Sequence, residues 1–183
     1  MSKIFKLIVI FFSSICVISL IAILLISFLI NKSVPDYNRI VESSYISDEI
    51  KVVRDNYAVP NIQGKTDEDT YFALGYVHAQ DRLWQMLLLR RTAQGKLSEY
   101  FGKDTLNIDI LIKTLNIYNH AKESSIHIST EVLKLMNAYS EGVNQRLIDI
   151  KDEGLGRGTP NLFLFPPKIA PWSPTDSIAI FKL

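Results

Sequence analysis

The feature that most constrains this chain is an apolar segment close to its N-terminus. The 24 residues from Leu7 to Ile30 carry no charge. As an α-helix they extend about 36 Å, which is enough to cross the core of a bilayer. Lys3 and Lys6 precede the segment, and the positive-inside rule then places the N-terminus in the cytoplasm. We predict a single-pass transmembrane signal-anchor over residues 1–30, with the residues after 31 on the outer side of the cell membrane.

A cleaved signal peptide is the alternative interpretation of this segment. Signal peptides usually have an apolar region of about 7–15 residues, followed by a cleavage site with small residues. This segment is longer, and the Phe-Leu-Ile-Asn-Lys-Ser of residues 28–33 matches such a site poorly. Cys16 lies in the middle of the segment, which argues against a lipid-modified cysteine. Under either interpretation the remainder of the chain is exported.

Composition limits the remaining function classes. The length of 183 residues suits about one domain, and 48% hydrophobic residues exclude a mostly disordered chain. Twenty Lys and Arg residues balance 19 Asp and Glu residues, giving a net charge of +1. This balance gives no electrostatic reason to expect a nucleic acid as partner. Because Cys16 is the single cysteine, an intrachain disulfide and a cysteine-based zinc site are excluded.

Turn residues and hydrophobic periodicity predict a mostly helical α+β chain. Residues 31–48 are predicted to be a polar tether. Strands follow at 49–55 and 61–63, and helices at 66–94, 96–101, 106–122 and 129–150. Thr66 is the predicted N-cap of the first of these helices, and Gly95 its stop signal. Residues 151–171 are a loop rich in Gly and Pro. A last helix begins at Ser173, with Pro174 at its first position and Asp176 at its third.

A search for catalytic motifs finds no nucleophile elbow, no metalloprotease helix and no phosphate-binding loop. Residues 154–158 are rich in glycine but lack the preceding strand and the Lys-Ser/Thr pair, so a flexible loop is favoured. His78 and Asp81 could share one helix face, but two ligands do not make a metal site, and a packed histidine is favoured. His120 and His127 add no ligand spacing.

The charged residues of helix 66–94 each allow two interpretations. Three acids begin it: Asp67, Glu68 and Asp69. They fit helix N-terminal acids better than a calcium loop. Four charges follow: Asp81, Arg82, Arg90 and Arg91. They could clamp a substrate, although a structural ion-pair network is favoured. Because this helix is apolar on more than one face, we expect its charges to need partners, some of them outside this chain.

Ordered blocks of the sequence resemble the start of the α chain of the penicillin acylase (penicillin amidase) family. The blocks are Val53-Arg54-Asp55, Val59-Pro60-x-Ile62, the ALGYVHAQDRLWQM of residues 73–86, Arg90-Arg91-x-Ala93-x-Gly95, Ala138-Tyr139-x-x-Gly142-Val143-Asn144 and Pro171-Trp172-Ser173-Pro174-x-Asp176. The resemblance covers residues 49–183. We assign a structural role to twelve family-motif positions: Arg54, Asp55, Pro60, Gly75, Gln80, Asp81, Arg82, Gln85, Arg90, Arg91, Gly95 and Asn144.

Four positions depart from the family pattern. Ala58 stands where glycine is usual before Val-Pro, and it is expected to strain a turn that favours glycine. Asn61, Lys113 and Leu162 stand where histidine, arginine and glutamate are common in the family. These departures affect local geometry and leave the resemblance intact.

The resemblance implies the fold and the activity of the complete family enzymes. Their fold is the αββα sandwich of the N-terminal-nucleophile hydrolases, of which this chain holds only the first strands and the α-chain helices. These enzymes are amidases that act on linear amides. Their precursor cuts itself into an α and a β chain, and the serine at the new β-chain N-terminus is the nucleophile. The resemblance also implies a calcium ion in the complete enzyme and a β chain as partner.

No residue of this chain matches a catalytic, cofactor-binding or metal-ligating position of the family. Ser98, Ser140 and Ser173 are not candidates for the nucleophile. We therefore predict that residues 49–183 are a truncated α-chain segment of an exported amidase and are inactive alone. The last helix ends after barely two turns without a stop signal, which fits this prediction. The alternative is a membrane-anchored helical binding or structural module, derived from a decayed or split amidase gene.

Overall fold

The computed structural model describes residues 2–152 and 169–183. Its elements in chain order are α1 (Lys3–Ser33), β1 (Lys51–Arg54), β2 (Pro60–Gln63), α2 (Asp67–Ala93), α3 (Ser98–Phe101), a 3-10 turn (Gly102–Thr105), α4 (Leu106–Leu115), α5 (Ile117–Ile126), α6 (Thr130–Asp152) and α7 (Pro174–Phe181). The two strands pair antiparallel, with Val52 opposite Ile62 and Arg54 opposite Pro60. The predicted mostly helical α+β class is confirmed.

The helix ends follow the predicted capping signals. The Thr66 hydroxyl accepts a hydrogen bond from the amide of Asp69 at the start of α2. Gly95 follows the helix with a φ of 61°, a conformation that glycine adopts without strain. At the start of α7, Ser173 and Asp176 form a reciprocal capping box with Pro174 in the first turn. These three local predictions are confirmed.

Two predicted helices differ from the structure. The helix predicted over 106–122 is wrong, because Asn116 has a left-handed conformation (φ 55°, ψ 33°) that separates α4 from α5. Asparagine tolerates this conformation better than other residues with a β-carbon. Helix α2 also has a kink at Arg82 (φ −134°, ψ 23°) that its apolar periodicity does not indicate. The loop predicted over 151–171 begins later, since α6 continues to Asp152; residues 153–168, including the glycine-rich segment and Leu162, lie outside the described residues.

The core lies between α2 and α6. These helices pack closely because Gly75 of α2 faces the backbone of α6 and Gly142 of α6 faces the backbone of α2. A β-carbon at Gly75 would overlap the carbonyl oxygen of Tyr139 and lie 2.8 Å from its carbonyl carbon. One at Gly142 would overlap the carbonyl oxygen of Phe72 and lie 2.8 Å from the amide nitrogen of Tyr76. The two backbones are therefore in direct contact at this crossing, and any side chain there would separate them.

The main apolar cluster joins α2 and α6 to the segment before α7. Its buried members are Ala79, Leu83, Met86, Leu87, Val143, Ile150 and Trp172. A smaller cluster joins the end of α2 to α5 and α7 through Ala93, Ala121 and Ala179. The predicted burial of α2 on more than one face is confirmed, since Phe72, Ala73 and Val77 are all buried, but Asp81, Gln85 and Leu89 leave one side of the helix exposed.

Residues 34–48 contact the helical unit at several points, which a free tether would not do. The amide and the hydroxyl of Ser47 both donate to the buried Asp69 carboxylate, at 2.9 and 2.7 Å. Tyr45 stacks on Phe72, with ring centroids 5.6 Å apart. Arg39 lies 3.6 Å from the carboxylate of Asp149. We name residues 34–48 the strap, because they run across the α2–α6 pair.

Candidate functional site

The first polar cluster is built around Arg54, at the end of β1. Its guanidinium donates to both carboxylate oxygens of Asp81, at 2.9 and 2.8 Å, and to the side-chain oxygen of Gln80 at 3.1 Å. It also donates to the carbonyl oxygen of Ala58 at 3.0 Å, and it lies 4.2 Å from the centre of the Tyr37 ring. Arg54 therefore fixes the β1–β2 hairpin and the strap on α2.

The turn between the strands is held by Asp55. Its carboxylate accepts the amides of Tyr57 at 2.8 Å and Val59 at 2.9 Å, and Pro60 then begins β2. Ala58 has a φ of 62°, the left-handed region in which a β-carbon is unfavourable. The expected strain at Ala58 is confirmed.

The second polar cluster surrounds Arg90, near the end of α2. The Arg90 guanidinium is buried and donates to the carbonyl oxygens of Ala170 at 3.0 Å and Pro171 at 3.3 Å. It lies 3.8 Å from the Asp176 carboxylate and 5.1 Å from the centre of the Trp172 ring. Burial lowers the pKa of Arg90, and the Asp176 charge opposes this shift. Arg90 thus holds the segment that leads into α7.

Asn144 completes this cluster from α6. Its side-chain oxygen accepts the amide of Trp172 at 2.6 Å, and its side-chain nitrogen donates to the Trp172 carbonyl oxygen at 3.0 Å. The Trp172 indole nitrogen donates to the Ser177 hydroxyl at 3.0 Å. The Tyr118 hydroxyl donates to Asp176 at 2.9 Å. Side chains from α2, α5 and α6 therefore meet around the first turn of α7.

The remaining family-motif residues lie along α2 and its end. Arg91 pairs with Glu99 at 2.5 Å and lies 3.7 Å from the centre of the Tyr100 ring. Arg82 and Gln85 are exposed. The structure brings Arg54, Gln80 and Asp81 together, and it places Arg90 with Asn144 in a separate cluster. Gly75 lies at the helix crossing and Gly95 at the end of α2, as described above.

The expectation that the α2 charges need partners from outside this chain is wrong for three of the four. Asp81 pairs with Arg54, Arg90 with Asp176 and Arg91 with Glu99, all within the described residues. The pairs run from α2 to other elements instead of along one helix, which is why spacing within α2 did not reveal them. This arrangement fits structural ion pairs better than a substrate clamp.

The described residues form no nucleophile–base pair. The Ser140 hydroxyl donates to the Met136 carbonyl oxygen within α6, and the Ser173 hydroxyl donates to Asp176 in the capping box. His78 Nδ1 lies 3.1 Å from the Tyr139 hydroxyl. Partial burial lowers the pKa of His78, and Asp81 opposes this shift. Burial also raises the pKa of Tyr139 to about 12. His78 is thus packed against a neutral phenol and faces no nucleophile.

The acids at the start of α2 do not form a metal site. Asp69 is buried and accepts Ser47, and Glu68 pairs with Lys134 on α6. Among residues 2–152 and 169–183, no group of three or more His, Cys, Asp or Glu side chains is placed to hold a metal ion. The calcium ion that the family resemblance implies therefore has no fitting donor set in the described part of this chain.

Two buried acids, Asp109 and Asp149, were not recognised from the sequence as the centres of polar contacts, and a third, Asp176, was predicted only as a helix-capping residue. Asp109 accepts the amides of Leu97 and Ser98, each at 2.8 Å. Burial opposes its ionisation, but these hydrogen bonds lower its pKa below the ordinary value. Asp149 accepts the Tyr76 hydroxyl at 2.6 Å, and Asp176 joins Arg90 to α7. An aspartate inside an otherwise apolar helical stretch is the sequence signal that these positions share.

Together these clusters define a helical scaffold whose charged residues hold elements in place. Comparison with known proteins assigns its class. The family model for penicillin amidase matches residues 49–183, and this chain belongs to that family. The predicted resemblance is confirmed.

Curated relatives agree with the family match. An acyl-homoserine lactone acylase QuiP from Pseudomonas syringae pv. tomato is 36% identical over 141 residues, which are 75% of this chain and 16% of the relative. A penicillin acylase 2 proenzyme from a Pseudomonas species is 34% identical over 137 residues, or 75% of this chain and 17% of the relative. A penicillin G acylase from Escherichia coli is 36% identical over 138 residues, which are 74% of this chain and 16% of the relative. The chain thus spans about a sixth of the length of these relatives.

A solved structure supports the fold. A thermostable penicillin G acylase from Alcaligenes faecalis superposes with a TM-score of 0.65 at 22% identity, covering 73% of this chain and 70% of that one. At this identity the similarity concerns the fold alone. The helical unit described above therefore shares its fold with part of that penicillin acylase chain.

Proposed function

We propose that this chain is the first part of the α chain of an exported amidase that hydrolyses the C–N bond of linear amides. The observation that carries the proposal is the family match over residues 49–183. The polar contacts support it, because Arg54, Arg90 and Asn144 are used to position backbone segments. In this proposal the chain supplies scaffold, and the chemistry belongs to another part of the enzyme.

The catalytic groups are proposed to reside in a β chain. A serine at the β-chain N-terminus attacks the amide carbonyl carbon, and its own α-amino group accepts the hydroxyl proton. The α-amino group then passes this proton to the amide nitrogen, so that the C–N bond breaks, the amine leaves and an acyl-serine remains. Backbone and asparagine groups of the β chain stabilise the oxyanion. Water then attacks the carbonyl carbon of the acyl-serine, the ester C–O bond breaks, and the carboxylic acid and the free serine hydroxyl are released. We place the ligands of the implied calcium ion outside the described residues, since these offer no matching group of acids.

The membrane anchor is proposed from α1. This helix is long and apolar enough to span a bilayer, a test that N-terminal signal sequences also pass. Its large apolar side chains are exposed along its whole length, as expected for a helix in contact with lipid. We propose that it stays attached and that residues 34–183 lie outside the cytoplasm. Release of the chain by carbonate, or a mature N-terminus near Ser33, would contradict this proposal.

The activity proposal is tested by separating the two chains. The full chain, residues 1–183, is purified from a host without acylase and assayed for release of a chromogenic amine from a phenylacetyl amide. We expect no turnover from this chain. Co-expression with the remainder of the precursor, encoded downstream of codon 183 and containing the rest of the α chain and a serine-led β chain, is expected to give activity. The same remainder with the first serine of the β chain changed to alanine is the control. Steady turnover by the chain alone would overturn the proposal.

The second candidate is a membrane-anchored helical binding or structural module. One observation favours it: the ion pairs of Asp81, Arg90 and Arg91 are all completed within the chain. A unit whose charges are already paired can fold without a second chain. Absence of any serine-led reading frame near the gene, together with cooperative unfolding of the chain alone, would favour this module over the amidase.

A further inference from the structure

Helix α4 exposes apolar side chains along its whole length. Five leucine and isoleucine side chains in this ten-residue helix are 44–55% exposed: Leu106, Ile108, Ile110, Leu111 and Leu115. The one buried residue of the helix is an aspartate, Asp109. A helix on the surface of a finished domain turns its apolar side chains toward the core and its charges toward water. The arrangement in α4 is the reverse.

The rotation of α4 is fixed by polar contacts on its inner side. The Asp109 carboxylate accepts the amides of Leu97 and Ser98, each at 2.8 Å. Lys113 follows one turn later, and its side chain runs beside Gly95, where an added β-carbon would lie 2.7 Å from the Lys113 Cγ. These contacts hold α4 against the segment after α2, so its apolar side chains cannot turn inward without breaking them.

The outer side of α4 is a strip without charge. Because a helix advances by 3.6 residues per turn, Ile108, Leu111 and Leu115 lie on the side opposite Asp109 and Lys113. We name these three residues the α4 face. Asp109 and Lys113 are the two charged residues of the helix, so none of its charges lies on the α4 face. Apolar residues at positions i, i+3 and i+7 are the anchors with which a helix docks on another protein surface.

The size of the α4 face indicates what kind of partner covers it. A helix of ten residues is about 15 Å long and about 10 Å wide, so its outer side offers roughly 150 Å². A stable dimer buries about 800 Å² on each partner, and a second copy held by this face alone would therefore not stay bound. The α4 face has to belong to a larger interface. The relatives offer a partner large enough, since this chain covers only 16–17% of their length.

We propose that the α4 face docks on the remainder of the precursor, the polypeptide encoded after residue 183. This proposal rests on the proposed function and adds the surface through which the helical unit joins the rest of the enzyme. The partner surface is apolar and carries no charge opposite Leu111 and Leu115. Asp109 orients the helix, and the three aliphatic side chains of the α4 face supply the contact.

Cysteine protection tests this proposal in the full chain. Cys16→Ser removes the single native cysteine, and Leu111→Cys or Leu115→Cys then places one thiol on the α4 face. Ile126→Cys is the matched control, because Ile126 is 77% exposed and lies on α5, which packs on α7. The rate of labelling by a water-soluble maleimide is measured for the chain alone and for the chain co-purified with the remainder of the precursor. Amidase turnover is recorded in the same preparations.

We expect labelling at positions 111 and 115 to be several-fold slower in the complex than in the chain alone, with an unchanged rate at position 126. An active complex without protection at 111 and 115 would overturn the docking and leave the proposed function standing. A remainder that neither binds nor gives turnover would overturn both. Slow labelling of the α4 face in the chain alone would show that a second copy or detergent covers it, and equal protection at position 126 would show general occlusion. Either result would overturn the docking.

A charge on the α4 face provides an independent measurement. Because Leu111 is 55% exposed, Leu111→Glu should leave the urea midpoint of the chain alone unchanged. The amount of remainder recovered with the tagged chain should fall several-fold, whereas Ile126→Glu should leave this recovery unchanged. Full recovery with Leu111→Glu would overturn the docking. A lower urea midpoint of the chain alone would do the same, since it would show that position 111 packs inside the unit.

Discussion

The α2–α6 crossing allows a quantitative test, because Gly75 and Gly142 both lie where the two backbones touch. Gly142→Ala places a β-carbon against the carbonyl oxygen of Phe72 and 2.8 Å from the amide nitrogen of Tyr76. Ordinary van der Waals contact for a β-carbon is 3.4–4 Å. The helices must therefore separate, and every side chain packed across the crossing loses contact with its neighbours.

The expected magnitude follows from two opposing effects. Overpacking a close-packed site destabilises a protein by about 1–3 kcal/mol, and more where backbone must move. Glycine to alanine in a helix interior otherwise stabilises by about 1 kcal/mol. Because the obstacle here is backbone, we expect Gly142→Ala to lower the free energy of unfolding by about 2–3 kcal/mol, and Gly75→Ala to do the same. The sign is thus opposite to that of the same substitution on an exposed helix.

The double variant provides the stronger test. Separation of the helices to fit one β-carbon also makes room for the other, so the two costs should not add, with a coupling of about 1 kcal/mol or more. The assay is urea unfolding of the full chain in detergent, monitored by tryptophan fluorescence. Trp172 belongs to the buried apolar cluster, and Trp84 packs against that cluster. Asn137→Ala, on the exposed side of α6, is the control and should change stability by less than about 0.5 kcal/mol. Unchanged or increased stability of Gly142→Ala, or additive costs, would refute the reasoning.

Three further predictions concern the turn, the α7 cluster and the strap. Ala58→Gly should raise the free energy of unfolding by about 1 kcal/mol in the same urea assay, because it relieves the positive φ; a loss of stability would contradict this. Asn144→Ala should lower the free energy of unfolding by about 2 kcal/mol, because the substitution leaves the amide and carbonyl of Trp172 without their partner. An unchanged free energy of unfolding would mean that water replaces Asn144. Ser47 holds the pKa of Asp69 below its ordinary value of 3.8. As the pH falls, the unfolded chain therefore takes up the proton first, and stability is lost below about pH 4. Asp69→Asn should make the urea midpoint less dependent on pH in that range, and an identical pH profile would exclude this contribution.

The sequence predicts those parts of the fold that local interactions determine. Thr66, Gly95 and the Ser173–Asp176 pair set helix ends through neighbours within a few residues, and their predicted positions are confirmed. Asn116 shows where such reasoning fails. The apolar pattern continues across it, but its left-handed backbone separates two helices with different partners, because α4 packs on α2 and α5 packs on α7. Periodicity describes which face is apolar, but it carries no information about a single residue that breaks the helix.

The polar clusters were less predictable, because their partners are distant in sequence. Arg54 and Asp81 are 27 residues apart, and Asn144 and Trp172 are 28 apart. The resemblance identified these residues without indicating that they contact one another. Asp176 was predicted as a helix-capping residue, which is confirmed. Its second contact, with Arg90, needed the folded chain.

The two arginine clusters explain how one helix can organise both ends of this unit. Near the middle of α2, Asp81 and Gln80 bind Arg54 and so hold the hairpin; near the end of α2, Arg90 binds the carbonyl oxygens that precede α7. A guanidinium whose donors already bind carboxylate, amide and carbonyl oxygens has few donors left for a substrate. Arg54 uses both terminal nitrogens in this way, and Arg90 is buried against the Trp172 ring. The charges that a motif search would assign to substrate recognition therefore determine where the hairpin, the strap and α7 lie.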